Sequence, residues 1–191
     1  MGNIMDNTKT ASQNKLRGLI LAAEFAALLG IFSQFTIPLS VVPLTGQTLA
    51  LGLFATVATP WIANSAIAVY LLLGAIGIPV FAGGNAGLQV LLGPNGGYLF
   101  GFFIYAIIVG YLLKLSTKWW NLAVANLIAA IVQLFVGTVW LAIWNGFTIG
   151  AVIKPAMIVF IPSAIIKVVI VVIVAKIIIK RFGIFGAKQK K

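Results

Sequence analysis

Cysteine and histidine are both missing from the 191 residues, and only two acids are present, Asp6 and Glu24. No Ser-His-Asp or Cys-His nucleophile can be assembled, no disulfide, and no zinc site on His or Cys. One acid near the amino terminus and one inside an apolar run do not make a paired-carboxylate glycosidase site. No metal site is expected, and an enzyme would have to work with Lys, Tyr, Ser and Glu24. Charged residues make up 8% of the chain, against about 25% in a soluble domain. What is present is apolar: 62% of the residues are hydrophobic, and the mean hydropathy is +1.15. So few charges cannot clothe a water-soluble surface, and the chain is expected to be an integral membrane protein. The 13 Lys and Arg give a net charge of +11, a balance that nucleic-acid binders share. Here the basic residues flank apolar segments, which reads as membrane topology, with lipid as the partner and no nucleic acid.

About 20 apolar residues at 1.5 Å each cross a bilayer core. Six candidate spans follow, at residues 16–35, 47–59, 62–78, 98–115, 122–144 and 157–179. The second is short and reaches across only if extended backwards or buried by its neighbours. Lys9, Lys15 and Arg17 mark the start of the chain, and Lys114 and Lys118 follow the fourth span. Lys176, Lys180, Arg181, Lys188, Lys190 and Lys191 lie at the end, while the outer loops hold only Lys154. The positive-inside rule then puts both termini in the cytoplasm and requires an even number of crossings. The first span has the basic flank of a signal peptide, but Glu24 interrupts it and five spans follow, so it reads as retained. The expected architecture is all-α: a single bundle of six transmembrane helices over residues 16–180. A cytoplasmic segment, 1–15, precedes it, and a basic cytoplasmic tail, 181–191, follows. Trp119 and Trp120 fit an inner aromatic belt, Trp140 and Trp144 an outer one.

Residues 79–97 read P-V-F-A-G-G-N-A-G-L-Q-V-L-L-G-P-N-G-G, with six glycines, including Gly83 and Gly84, and no charge. Glycines let backbone polar groups approach a ligand closely. Non-helical backbone at membrane depth survives only where protein or a cavity shelters it. The segment is expected to form a lid over a site rather than an exposed turn. A second outer loop, V-P-L-T-G-Q-T at 42–48, opens the second span. Thr45 is expected to cap that helix, and Gln47 offers an amide in its first turn, open to a ligand or to a structural bond.

Lys167 is the strongest signal. It lies ten residues into the last span, about 15 Å along a helix. A charge there is expensive unless it faces a cavity or a partner, so it is expected at a ligand. Ser163 sits one turn earlier on the same face, and Pro162 removes a nearby helix hydrogen bond. A bridge to Glu24 is disfavoured by depth, since Glu24 is only about 12 Å along a helix that starts at the inner face. In the first span Ala22, Ala26 and Gly30 form one small-residue stripe, with Ala23 and Ala27 beside it. Such stripes let membrane helices approach closely, and on physical grounds alone internal packing is preferred to a docking role.

Three strings carry a resemblance: V-P-L-T-G-Q-T at 42–48, G-I-P-V-F-A-G-G-N-A-G at 77–87 and L-L-G-P-N-G-G-Y-L-F-G-F at 91–102. They resemble the biotin-specific S components, BioY type, of energy-coupling factor (ECF) transporters, and the likeness runs from about Leu16 to Lys180. It implies a multi-pass protein of a bacterial cell membrane that captures biotin from outside. It further implies partners, a transmembrane coupling protein and two ABC ATPases. No cofactor is implied beyond biotin as ligand and ATP on the partners, and the chain itself lacks a Walker motif. In this family an A-x-x-x-A element of the first helix meets the coupling protein. Here that implies Ala22–Ala26 or Ala23–Ala27, with Gly30 extending the first stripe, against the internal packing preferred above.

Biotin is a small acid with an apolar tail and a ureido ring, suited to an apolar cavity with a few polar groups. The implied site lies at the outer end of the bundle, roofed by 79–97 and flanked by 42–48. Lys167 is expected to meet the carboxylate or another ligand oxygen, with Gln47, Asn85, Thr45, Tyr98, Ser163 and the Gly83–Gly84 backbone around it. The family usually has an acid three positions before this Lys. Here Ala164 stands there. Another acceptor (Asn85, Gln47 or a loop carbonyl) must serve the ureido N–H groups, or affinity falls. Two rival functions remain: an S component for another vitamin, and a pore. The spans show no continuous polar stripe for a pore.

Overall fold

The computed structural model describes residues 2–38 and 42–184, with side chains from residue 13 onward except that of Met157. Among these residues the helices are α1 (Gly2–Gln34), α2 (Gln47–Val57), α3 (Pro60–Ala75), α4 (Leu88–Leu92), α5 (Gly96–Leu112), α6 (Trp119–Asn145) and α7 (Ile149–Phe182). Three segments are long and apolar enough to cross a membrane: Gln13–Gln34, Trp119–Asn145 and Ile158–Phe182. Three shorter apolar helices accompany them, Gln47–Val57, Pro60–Ala75 and Gly96–Leu112.

The shortest of these, α2, is the hub. At 11 residues it is only about 16 Å long. It touches α1, α3, α5, α6 and α7, and most of its residues are buried, including Leu51, Phe54 and Val57. A helix sheathed on all sides need not reach lipid at either end, which resolves the weakness of the second span. The outer helices present Ile, Leu, Val and Phe side chains on their free faces, such as Ile107, Ile128 and Ile173. Such a surface is stable against hydrocarbon and not against water.

Several boundaries differ from the sequence reading. Helix α1 starts at Gly2, so residues 2–15 continue the first span as helix. Helix α7 starts at Ile149, so most of the loop expected at 145–156 is helical. Lys167 therefore lies eighteen residues after the start of its helix, and Pro155 and Pro162 are both internal to it. Lys188, Lys190 and Lys191 lie outside the described residues. The all-α expectation also misses a small ribbon, Thr36–Ile37 antiparallel to Leu44–Thr45, with Thr36 opposite Thr45. One cause is local: Ile37 precedes Pro38, and a residue before proline is pushed towards extended backbone.

The segment 79–97 is not irregular throughout. It contains a 3₁₀ turn at Ala82–Gly84 and the short α4. Phe81 is its anchor, 1% exposed, with its ring edge-on to Tyr70 at 5.5 Å. It rests where α3 carries Gly74, and any side chain at that position would collide with the ring. At one end Gln34 Nε2 donates to the Pro79 carbonyl (3.2 Å). At the other, Trp140 Nε1 donates to the Gly93 carbonyl (2.9 Å) and Trp144 Nε1 to the Leu92 carbonyl (3.0 Å). The two tryptophans expected only as interfacial anchors thus fasten the roof to α6.

Candidate functional site

Beneath this roof lies a cavity of about 150 Å³, roughly ten times what a single water needs. Its walls come from α2, α5, α6 and α7, and the ribbon strand Leu44–Thr45 closes one side. Phe81, Leu99, Phe102, Leu134, Phe160 and Val171 make much of the lining apolar. A few polar groups interrupt it, the combination that binds small molecules with fixed orientation.

Lys167 projects from α7 into this wall. Its Nζ donates to the Thr45 carbonyl (2.7 Å) and to Thr48 Oγ1 (2.8 Å). Both acceptors are neutral, and an ammonium has three N–H donors, so among the described residues one donor and the charge are left without a partner. Glu24 is exposed on α1 and does not line the cavity. Lys167 also lines a second, more open depression bounded by Gln34, Thr36 and Gly46, so it stands between the cavity and the ribbon side of the molecule.

The other sequence-derived residues divide. Thr45, Gln47, Asn85, Tyr98 and Ser163 line the cavity with Lys167, and so does Ala164. Gly83 and Gly84 do not. They take left-handed φ of 67° and 78°, strained for other residues, and so shape the turn that carries Ala82 and Asn85 to the cavity. Thr45 is not the cap of α2. Gly46 holds that position, because Thr45 is drawn into the ribbon, and its hydroxyl donates to Gln47 Oε1 (3.0 Å). Gln47 in turn donates through Nε2 to the Tyr70 hydroxyl. Asn85 Nδ2 bonds the Ala82 carbonyl (2.7 Å), and the Tyr98 hydroxyl pairs with Thr138 Oγ1 at 3.1 Å.

Four polar lining residues were missed: Thr48, Asn95, Tyr105 and Gln133. Gln133 was open to the argument used for Lys167, a polar side chain inside a span. Its Nε2 donates to the Tyr98 carbonyl (3.1 Å). Asn95 lay within a quoted string but was given no role of its own. Tyr105 belongs to a polar knot at the cavity wall, donating to Asn126 Oδ1 (2.8 Å). Asn126 Nδ2 donates to Thr56 Oγ1 (2.9 Å), which donates to the Gly52 carbonyl (2.6 Å). The two alanine stripes also separate. Ala22 and Ala26 are each 1% exposed and Gly30 is buried. That stripe is internal packing, closed to a partner in this arrangement. Ala23 and Ala27 are exposed.

The BioY family model matches residues 5–183. The chain belongs to the BioY family. It is 38% identical over 160 residues to a protein of Lactococcus lactis subsp. cremoris named biotin transporter BioY2, covering 83% of this chain and 88% of that one. A probable biotin transporter BioY of Pyrococcus horikoshii is 33% identical over 162 residues, 85% of this chain and 96% of the relative. Among solved structures, the S-component for biotin from an ECF-type ABC transporter superposes with a TM-score of 0.82 at 26% identity. The match covers 90% of this chain and 95% of that one. A BioY chain of this kind is a mostly helical membrane protein, and the cavity described above lies in the fold it shares with that S-component.

Proposed function

We propose that this chain is the biotin-capturing S component of an ECF-type uptake system in a bacterial cell membrane. It is a transport subunit and not an enzyme. Six helices (α1, α2, α3, α5, α6 and α7) cross or fill the bilayer as one bundle spanning about residues 16–180, with both termini cytoplasmic. Biotin enters the cavity from the outer side under the 79–97 roof. Family membership and the biotin-transporter relatives support the ligand. The observation that carries the site is Lys167, a charge held deep in a largely apolar cavity by two neutral acceptors, with one N–H unpartnered among the described residues. An apolar-tailed anion fits that arrangement, because its carboxylate neutralises a charge that is otherwise expensive at this depth. Gln47, Asn85, Tyr98 and Ser163 then orient the ring by directional hydrogen bonds.

The energy for uptake comes from partners, a transmembrane coupling protein and two ABC ATPases, with no cofactor on this chain. Ala23 and Ala27, the open stripe of α1, are the docking positions for the coupling protein. The test is equilibrium binding of labelled biotin to the purified protein in detergent, with a panel of other vitamins as competitors. Saturable 1:1 binding displaced only by biotin-like compounds is expected. Absence of saturable binding, or displacement by an unrelated vitamin at lower concentration, overturns the assignment.

A further inference from the structure

Asn95 occupies the cap position before α5, where an Asn normally turns its side-chain oxygen onto an N–H of the first helical turn. It makes no such bond. The Tyr98 N–H is instead taken by the Asn95 backbone carbonyl (3.1 Å). The side-chain oxygen Oδ1 is nevertheless buried, without a hydrogen-bond partner. Among the described residues only one other side-chain atom is in this condition, Asn64 Oδ1, and Asn64 does not line the cavity. Asn95 does line it. Buried acceptors are nearly always paired, and an exception at a ligand cavity calls for a donor from outside the chain. The walls supply several donors to a ligand, Lys167 foremost, whereas Ala164, on the same face as Lys167, supplies no polar atom.

We infer that Asn95 is a binding residue of this cavity, its Oδ1 accepting a ureido N–H of the bound vitamin. The inference rests on biotin as the ligand and adds to it the acceptor side of recognition. Rotation about χ2 turns the amide oxygen towards the ligand without moving the backbone. The ligand's N–H then replaces the partner that the cap position fails to provide. A site built around such an acceptor rejects analogues lacking the N–H, because the buried oxygen is left unpaired again.

The test compares wild-type protein with Asn95→Leu and Asn95→Asp, purified in detergent. The ligands are biotin and two lactam analogues, each with one ureido N–H replaced by CH2. Asn95→Leu is expected to weaken biotin binding roughly ten- to hundredfold. For one lactam the same substitution changes affinity less than about threefold, since the bond is already absent there. Asn95→Asp keeps an acceptor and stays within about tenfold of wild type. The melting temperature of ligand-free Asn95→Leu is expected to hold or rise, because an unpaired acceptor has been removed. A fall in that temperature would assign Asn95 a structural role and overturn the inference. Equal loss for biotin and both lactams, or no loss for biotin, overturns it as well. If wild-type protein binds no biotin at all, the parent assignment falls with it; if wild type binds and Asn95→Leu binds equally, this inference alone is lost.

Discussion

Two sets of polar groups sit inside this apolar bundle, and they differ in how completely they are paired. The knot of Tyr105, Asn126 and Thr56 closes on itself and on the Gly52 and Leu122 carbonyls. It ties α2, α5 and α6 together, and Asn126 and Thr56 are both 0% exposed. The cavity set is open: Lys167 keeps a donor and a charge to spare, and Asn95 keeps an acceptor. Polar groups of both kinds are costly to bury, and the Lys167 charge is the costliest. Only the knot recovers that cost within the chain, so the knot is read as structure and the cavity set as recognition. Tyr105 belongs to both, its hydroxyl in the knot and its residue on the cavity wall.

The contrast can be broken at either side. The largest effect is expected from Asn126→Leu, which strands the Tyr105 hydroxyl and crowds Gly52. Denaturation in detergent should show a loss of about 3 kcal/mol with or without biotin. A variant as stable as wild type would mean that the knot is dispensable. Lys167→Met should do the reverse. Affinity for biotin falls roughly ten- to over a hundredfold with the loss of a charged bond. Ligand-free stability changes by less than about 1 kcal/mol, since the buried charge leaves with its bonds. Unchanged affinity would remove Lys167 from the site.

A smaller effect concerns the roof. Trp140→Phe deletes the bond to the Gly93 carbonyl but keeps a ring against Gly97. Biotin release followed by stopped-flow should quicken by about three- to tenfold. The smallest effect on binding is expected at the open stripe, where Ala23→Trp with Ala27→Trp leaves affinity untouched and abolishes uptake in cells carrying the partners. Ala26→Trp, on the closed stripe, should instead fail to fold, because a packed seam cannot absorb the added volume. Uptake that survives bulk at Ala23 and Ala27 would place the docking surface elsewhere.

Much of the site is legible in the sequence, and the reason is membrane physics. A Lys deep in an apolar span must have somewhere to go, and long neutral Gly-rich loops need shelter. Those two constraints isolate Lys167 and the 79–97 roof without knowledge of neighbours. Gln133 and Asn126 obey the same constraint, yet an amide costs far less than a charge at this depth and could as easily be paired as free. Which of them faces the cavity and which is locked in the knot depends on helix rotation, and local sequence leaves that unspecified. Asn95 was hidden for a different reason. Asn after Pro is an ordinary turn and cap signal, and its failure to cap is visible only once the Asn95 carbonyl is seen taking the Tyr98 N–H.

Composition alone determined that the chain lives in lipid and cannot assemble a His, Cys or paired-acid active site, because those conclusions follow from counting groups. The apolar runs determined most of the helices, because each run's length and hydropathy are local properties. Tertiary structure decided the rest: that α2 is a sheathed hub, that Ala22 and Ala26 are closed while Ala23 and Ala27 are open, and that ten polar residues from separate segments meet around one cavity. The reason is that facing and pairing depend on which helix lies beside which, and neighbours in space are set by the packing of the whole bundle.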